Sequence, residues 1–416
     1  MHRIIISIVL LSFAPCLVHA RSVSPLQKLP PIKFVEEKPN NPRELILKIR
    51  QDIKAEPFNP NHYIYLAYVY DHIGQYKYEL EVLKKGVNYF PKDHPDLGLH
   101  YGNLARAYIL MDELDQAKEW IDQSLELDPR NLYNLWHALT YYVLKRDFLN
   151  AAEPLTKLSS LDQNRDYFYD IYVFFYKRYP KDTGKLSELY EEAVRLKKDN
   201  PYARRMLGIT LRDASVGHIE NNLDVILSEL QISLELLPEN VPALIGIANT
   251  YLLASRETGK KEYLQKANPW LQKAYGIAPL DPQLAFAMGN LYYYNGQFNE
   301  AIDRYEFARL KGMSGDLLLD FLASSYANQA YGLYKFQKDL QKGIELIDQA
   351  ITLRPQKGSY WGVKGQILYE LKEFTQAHEI IQKALVLDPD EEGLKQNLLK
   401  IEEAMRVAED REEENP

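Results

Sequence analysis

The sequence predicts an all-α solenoid of about nine stacked helix-turn-helix units, with capping helices at its ends. A pattern of about 34 residues recurs along most of the 416-residue chain, and each copy holds two amphipathic helical stretches. Proline recurs in phase where the second stretch ends, as at Pro57, Pro91, Pro355 and Pro389. Proline stops a helix because it lacks an N–H donor and disfavours helix in the preceding residue. Stacked units of this kind do not imply a central active-site cavity.

Small residues mark the points where helices of neighbouring units would otherwise collide. In the first helix of each copy a large apolar residue precedes a small one, as in Leu104-Ala105 and Met288-Gly289. The second helix carries another small residue, such as Ala301. A small side chain lets a neighbouring helix approach closely, so this phase predicts the helix contacts of the stack.

The copy LAFAMGNLYYYNGQFNEAIDRYEFA, at residues 284–308, resembles the tetratricopeptide repeat, and so do the copies that end at Pro129 and Pro389. The likeness covers residues 42–390, and the copy at 166–200 is its weakest part. It implies a right-handed solenoid whose first helices line a concave groove, where such proteins commonly hold a peptide or a partner helix.

Three copies are longer than the basic repeat. The extra residues are either tolerated variation in loop length or an accessory docking edge, and they lie near 213–222, 255–263 and 327–338.

The resemblance places groove-facing side chains directly after the small residue of the first helix, or one turn from that position. Aromatic rings there supply contact area, and amides and guanidinium groups satisfy backbone or hydroxyl groups of a peptide, a partner helix or a glycan. Ile64 and Tyr68 stand where carboxylate-gripping relatives place Lys and Asn, so that role is not predicted. The predicted partner-binding groove consists of Tyr68, Arg106, Trp136, Arg205, Asn249, Phe286, Asn290, Tyr293 and Gln366. For Trp136 and Phe286, packing between helices is an equal alternative.

The segment DYFYDIYVFFYKRYP, at residues 166–180, holds eight aromatic residues in fifteen. As a helix it would be apolar on nearly every side, which predicts a mostly buried element. The alternative is an exposed apolar surface for a partner.

The first twenty residues resemble a secretory signal, with a basic start at Arg3, an apolar core at 4–14 and cleavage near Ala20. The apolar run is too short for a spanning helix, so no transmembrane segment is predicted in the mature chain, although an uncleaved anchor is an alternative. A lipoprotein modified at Cys16 is disfavoured because Pro15 directly precedes the cysteine. Residues 21–41 are rich in proline and predict an extended leader or tether. The expected location is the periplasm or the exterior of a bacterial cell.

At the other end, residues 391–409 predict a capping helix, and residues 410–416 predict an acidic, disordered tail. The formal net charge is −8, and residues 388–416 alone carry a net charge of −7. The rest of the chain is therefore nearly neutral, which argues against binding to nucleic acid.

No catalytic, cofactor-binding or metal-binding residue is predicted. The segment HEIIQ, which begins at His378, has Gln382 where a zinc-protease helix needs its second histidine. Removal of the signal would also remove Cys16, the one cysteine of the chain, and with it any thiol nucleophile.

The sequence therefore predicts a non-catalytic protein–protein interaction scaffold of the bacterial cell envelope, which binds a partner protein or peptide in its groove. One alternative is a ligand-binding component of an envelope export or uptake system, for a polysaccharide or a small apolar ligand. The other is an unrecognised enzyme or enzyme subunit, whose mark would be a cluster of perturbed acids in a deep pocket.

Overall fold

A computed structural model describes the backbone from residue 41 to residue 414 and the side chains from 41 to 408. The predicted signal peptide, and the predicted leader as far as residue 40, lie outside the described residues. Within them every regular element is a helix, which confirms the all-α class. Contacts between Cα atoms divide the described chain into two units. The N-terminal unit consists of the residues up to Ser215 together with Ser228–Pro238. The C-terminal unit consists of Val216–Leu227 and the residues from Glu239 onward.

The N-terminal unit begins with a single helix, α1, and continues with successive helix pairs. Ile49 of α1 is buried against α2, which gives the first pair a covered outer face. The helices are α1 Pro42–Ala55, α2 Pro60–His72, α3 Tyr76–Val87, α4 Leu97–Leu110, α5 Leu114–Leu127, α6 Leu132–Leu144, α7 Phe148–Leu161, α8 Tyr167–Arg178, α9 Ser187–Leu196 and α10 Pro201–Ala214. Helix α11, Leu223–Leu236, has residues in both units.

The weakest copy of the repeat is also the least regular pair. A 3₁₀ turn at Thr183–Leu186 stands between α8 and α9, and α9 packs chiefly against α7 and α10. In this pair, large aromatic side chains occupy positions that hold small residues in the other pairs. This difference explains why the repeat pattern is weak at 166–200.

Along the described residues, nine helix pairs follow one another from α2–α3 to α18–α19, as predicted.

The C-terminal unit is a regular succession of such pairs. Each second helix packs on the first helix of its own pair and on the first helix of the following pair. The helices are α12 Val241–Thr258, α13 Glu262–Ile277, α14 Pro282–Tyr294, α15 Phe298–Leu310, α16 Asp316–Gly332, α17 Leu340–Leu353, α18 Gly358–Glu370, α19 Phe374–Leu387 and α20 Glu392–Glu414.

Helix α20 covers the last pair through Leu394 and Ile401, which are buried against the end of the stack. It continues to Glu414, past residue 410, where the predicted acidic tail begins. The acidic end consists largely of Glu and Arg, which have high helix propensity.

The extra residues of the long copies lengthen helices and loops. Those of the second long copy extend α12 and α13, and those of the third extend α16 and add a π-helical turn at Leu333–Gln337. Those of the first form a 3₁₀ turn at Ile219–Asn222. None of the helices between 41 and 414 combines the length and apolar character that a membrane crossing requires.

Side-chain caps set where many of the first helices begin. Asp281 Oδ1 accepts hydrogen bonds from the backbone N–H groups of Gln283 and Leu284, at 2.7 and 2.9 Å, and Pro282 occupies the first turn. Asn131 caps α6 in the same way. These caps satisfy donors that a helix leaves free, which explains the helix starts directly after Asn and Asp.

Gly289 shows why the first helices need a small residue. A Cβ atom there would lie 2.4 Å from Cε1 of Tyr305, a fully buried ring of α15. We expect Gly289→Ala to lower the free energy of unfolding by about 1–3 kcal/mol, since overpacking outweighs the gain in helix propensity. Urea unfolding followed by circular dichroism measures it.

Gly276 on α13 is the matched control, because a Cβ atom there would meet nothing within 4 Å. Gly276→Ala should leave stability unchanged or raise it by up to about 1 kcal/mol. Equal effects of the two substitutions would contradict the packing role of Gly289.

Candidate partner-binding surface

Three of the predicted groove residues in the N-terminal unit are interior side chains. Tyr68 is buried, and Trp136, which is 1 % exposed, packs with its ring 6.0 Å from that of Tyr167. Arg205 is also buried and forms an ion pair with Asp166, the residue that caps α8. For Trp136 the structure supports the packing alternative, whereas Tyr68 and Arg205 were predicted to face a partner and are instead covered by neighbouring side chains.

Arg106, the fourth predicted residue of this unit, remains partly exposed but already has two acidic partners. Its guanidinium lies 2.6 Å from Asp71 Oδ1 and 3.1 Å from Glu79 Oε1, so it ties α4 to the end of α2 and to α3. Burial raises the pKa of Glu79 to about 8, although the charge of Arg106 opposes the rise. These contacts make Arg106 a clamp between helices.

The aromatic segment at 166–180 is mostly buried, which confirms the first of its two interpretations. Phe168, Tyr172 and Phe175 have no exposed surface. The Tyr172 hydroxyl donates to Asp213 Oδ2 at 2.6 Å, which anchors α8 to the end of α10.

Two predicted residues of the C-terminal unit are buried as well. Asn290 is 1 % exposed, and its Oδ1 accepts a hydrogen bond from the Tyr305 hydroxyl at 2.8 Å. Phe286 packs between Tyr305 and Phe321, with ring centroids 5.5 and 5.9 Å away. The structure therefore supports the packing alternative for Phe286, and the predicted exposure of Asn290 is wrong.

Asn249, Tyr293 and Gln366 keep part of their surface open, on α12, α14 and α18. The amide oxygen of Asn249 is buried and has no hydrogen-bond partner among the described residues. Burial raises the pKa of Tyr293, and its hydrogen bonds with Asn328 and Ser324 oppose that rise. Tyr293 therefore connects α14 to the polar side chains of α16.

Polar side chains of α16 and α18 converge on a small hollow, which we call the α16–α18 hollow. It measures about 10 Å³, enough for one water-sized group. The Ser324 and Tyr360 hydroxyls lie 3.0 Å apart across it, and Asn328 donates to the Ser324 carbonyl at 2.8 Å. The lining residues are Ser324, Ala327, Asn328, Tyr331, Ser359, Tyr360 and Val363.

The hollow is polar but uncharged. Burial raises the pKa of Tyr360 to about 12, so its phenol keeps its proton at physiological pH. The partly exposed side chains at its rim include Asn328 and Tyr331, whose amide and hydroxyl can donate to or accept from a peptide backbone and whose aromatic ring offers apolar contact. The hollow admits only one water-sized group, so a polypeptide segment would lie over its rim.

Sequence reasoning missed Asn328, Tyr331 and Tyr360. Asn328 lies one turn after Ser324 on the same face of α16, so the spacing that located Tyr293 after Asn290 would have located it. Tyr360 lies in the first turn of α18, and only the packing of α18 against α16 brings its hydroxyl to Ser324.

An open depression of about 440 Å³ in the N-terminal unit is a weaker candidate. Its cations include Lys157, which is paired with Glu153, and Lys197, which follows the end of α9. Cations at helix carboxyl ends offset the negative end of the helix dipole, which accounts for these side chains. Among the described side chains, no group of three or more His, Cys, Asp or Glu is placed to hold a metal ion.

Family models of tetratricopeptide repeats match three parts of the chain. A model described as YpiA-like tetratricopeptide repeats covers residues 267–312. Two further tetratricopeptide-repeat models cover residues 101–131 and 328–392.

The chain is also 22 % identical over 314 residues to a DnaJ homolog subfamily C member 7 homolog of Dictyostelium discoideum. The match covers 72 % of this chain and 50 % of the relative, so the chain spans about half the length of that protein.

Two solved structures match the chain at low sequence identity and low TM-score. The APC/C hetero-tetramer Cut9-Hcn1 matches with 14 % identity and a TM-score of 0.34, over 87 % of this chain and 96 % of that chain. A tetratricopeptide repeat protein from Parabacteroides merdae matches with 13 % identity and a TM-score of 0.36, over 64 % and 98 % of the two chains.

Proposed function

Because models of tetratricopeptide repeats match three parts of the chain, we propose that it is a non-catalytic scaffold that holds an extended segment of a partner protein across α14, α16 and α18. Such repeats indicate a protein–protein interaction scaffold, and proteins of this family are typically not enzymes. The α16–α18 hollow supports this choice of surface, because hydroxyl and amide groups of two adjacent first helices converge there without a charged group among them.

Asn328→Ala should weaken binding of a partner segment about tenfold, because the loss of one buried hydrogen bond costs about 1 kcal/mol or slightly more. The full chain would select peptides from a display library of random dodecapeptides, and fluorescence anisotropy would then measure the affinity of each selected peptide.

Asn268→Ala is the matched control, because this asparagine is exposed on α13, a second helix of the same unit. It should leave the affinity unchanged. Equal losses for the two variants would count against this surface. Selection of no peptide, together with binding to purified polysaccharide, would favour the ligand-binding alternative instead.

We further propose that the scaffold works in the bacterial envelope, in the periplasm or outside the cell. The support is the sequence of residues 1–20, with its basic start, short apolar core and small residues before Arg21. Amino-terminal sequencing of the mature protein, after expression in a bacterium with an intact export pathway, should begin at Arg21. A mature chain that begins at Met1 and stays in the cytoplasm would refute this location.

A further inference from the structure

Arg354 follows the end of α17, and two acids of α16 hold it. Its Nε lies 2.5 Å from Asp320 Oδ1, and its Nη2 lies 3.0 Å from Asp316 Oδ1. The same Nη2 donates to the backbone carbonyl of Asp316 at 2.7 Å. The planar guanidinium fork, which suits a carboxylate, is therefore already occupied within the chain.

The ion pair adjoins the hollow. Asp320, Ser324 and Asn328 follow one another at intervals of four residues, so they share one face of α16. The Tyr360 hydroxyl, 3.0 Å from Ser324 Oγ, is also within electrostatic reach of both Asp320 and Arg354. Arg354 is therefore close enough to Tyr360 to attract a carboxylate of a segment that lies over this residue.

Asp320 and Asp316 differ in how firmly they hold the arginine. The side chains of Arg354 and Asp320 are only 21 % and 18 % exposed, whereas that of Asp316 is 92 % exposed. Water screens the Asp316 contact, but the Asp320 contact is shielded from water and therefore dominates. Lys364 of α18 is similarly paired, with Asp348 Oδ1 at 2.7 Å.

We propose that Asp320 is a specificity-determining residue, which keeps Arg354 from binding a partner's carboxylates, so that the hollow selects an uncharged segment. The inference rests on the proposed function and adds the chemistry of the partner. Such a segment is held through its backbone and through hydroxyl, amide or aromatic side chains, and salt does not weaken its binding. Asp320 acts through Arg354 and does not itself need to touch the partner.

Selection from the dodecapeptide library with the full chain and with its Asp320→Ala variant tests this inference. The wild-type chain should enrich peptides depleted in Asp and Glu, and their affinity should be the same in low and in high salt. The variant should enrich acidic peptides, because Arg354 then keeps only its contacts with the solvent-exposed Asp316 and its Nε can form charge-assisted hydrogen bonds with them. It should bind an acidic peptide at least about tenfold tighter than the wild-type chain does, and salt should reduce that gain.

Two further variants keep the result interpretable. Asp303→Ala, which removes an exposed acid of α15, should leave the selection unchanged. Adding Arg354→Gln to Asp320→Ala should abolish the gain for acidic peptides, and circular dichroism would verify that each variant keeps its helices. Enrichment of acidic peptides by the wild-type chain would overturn the inference while leaving the proposed function intact. Failure of every form of the chain to enrich peptides would overturn both.

Discussion

Trp136→Ala should lower the free energy of unfolding by about 3–5 kcal/mol and leave partner binding by the C-terminal unit unchanged. Trp136 is among the largest fully buried side chains, and its ring packs beside Tyr167 and under the guanidinium of Arg165, whose Cζ lies 5.3 Å from the ring. Removing it would leave a large cavity between α6 and α8 in a close-packed core. Urea unfolding followed by circular dichroism measures the loss.

Trp136→Phe separates the effect of ring volume from that of losing the whole side chain. The indole Nε1–H is buried and has no hydrogen-bond partner among the described residues, so replacing the indole by a benzyl ring removes no hydrogen bond. We expect a smaller loss of about 1–2 kcal/mol, from the lost ring volume alone. If Trp136→Ala kept full stability but abolished binding to a selected peptide, Trp136 would be a contact residue, as the groove prediction has it.

The repeat register predicted the fold because it depends on local features. The register is made of small residues, prolines and an apolar period. These features indicate contacts between helices that are close in sequence, and Gly289 indeed packs against Tyr305 of its own pair. The nine helix pairs followed from that register. The irregular pair α8–α9 matches the register only weakly, because its aromatic side chains replace the small residues on which the register depends.

Side-chain exposure was harder to predict, since it depends on residues that come from other helices. Asn290 occupies a groove position in the repeat, yet its amide oxygen accepts a hydrogen bond from Tyr305, which lies on the second helix of the pair. Trp136 is covered by Tyr167 of the next pair, which no pattern within its own copy indicates. The α16–α18 hollow likewise requires Ser324 and Tyr360 to meet across two pairs.

Arg106→Ala should also lower the free energy of unfolding, by about 1–3 kcal/mol below about pH 8, because it removes the shared hydrogen-bond partner of Asp71 and of the buried Glu79. Arg106 joins Asp71 and Glu79, and Glu79 is only 2 % exposed, with its Oε2 buried and without a hydrogen-bond partner among the described residues. Without the guanidinium, Glu79 would lose its hydrogen bond and its nearest positive charge. The helices α2, α3 and α4 would lose their common contact.

The pH dependence identifies Glu79 as the group responsible. Burial raises the pKa of Glu79 from 4.5 to about 8, so the folded state holds this proton more tightly than the unfolded state does. The wild-type chain therefore loses stability from this group as the pH rises from about 4.5 to about 8, and Glu79→Gln should remove that loss. Above about pH 8 the wild-type carboxylate is ionised beside Arg106 and the loss stops.

Arg106 lowers the pKa of Glu79, so removing the arginine should raise that pKa further and extend the loss of stability beyond pH 8. The difference in unfolding free energy between the wild-type chain and Arg106→Ala should therefore grow above about pH 8 and stay constant below it. The double variant Arg106→Ala/Glu79→Gln should show no such growth, because no carboxyl remains to titrate. Urea unfolding at about pH 6 and about pH 9 distinguishes these outcomes. A difference that was the same at both pH values would mean that Arg106 stabilises the N-terminal unit through packing and Asp71 alone.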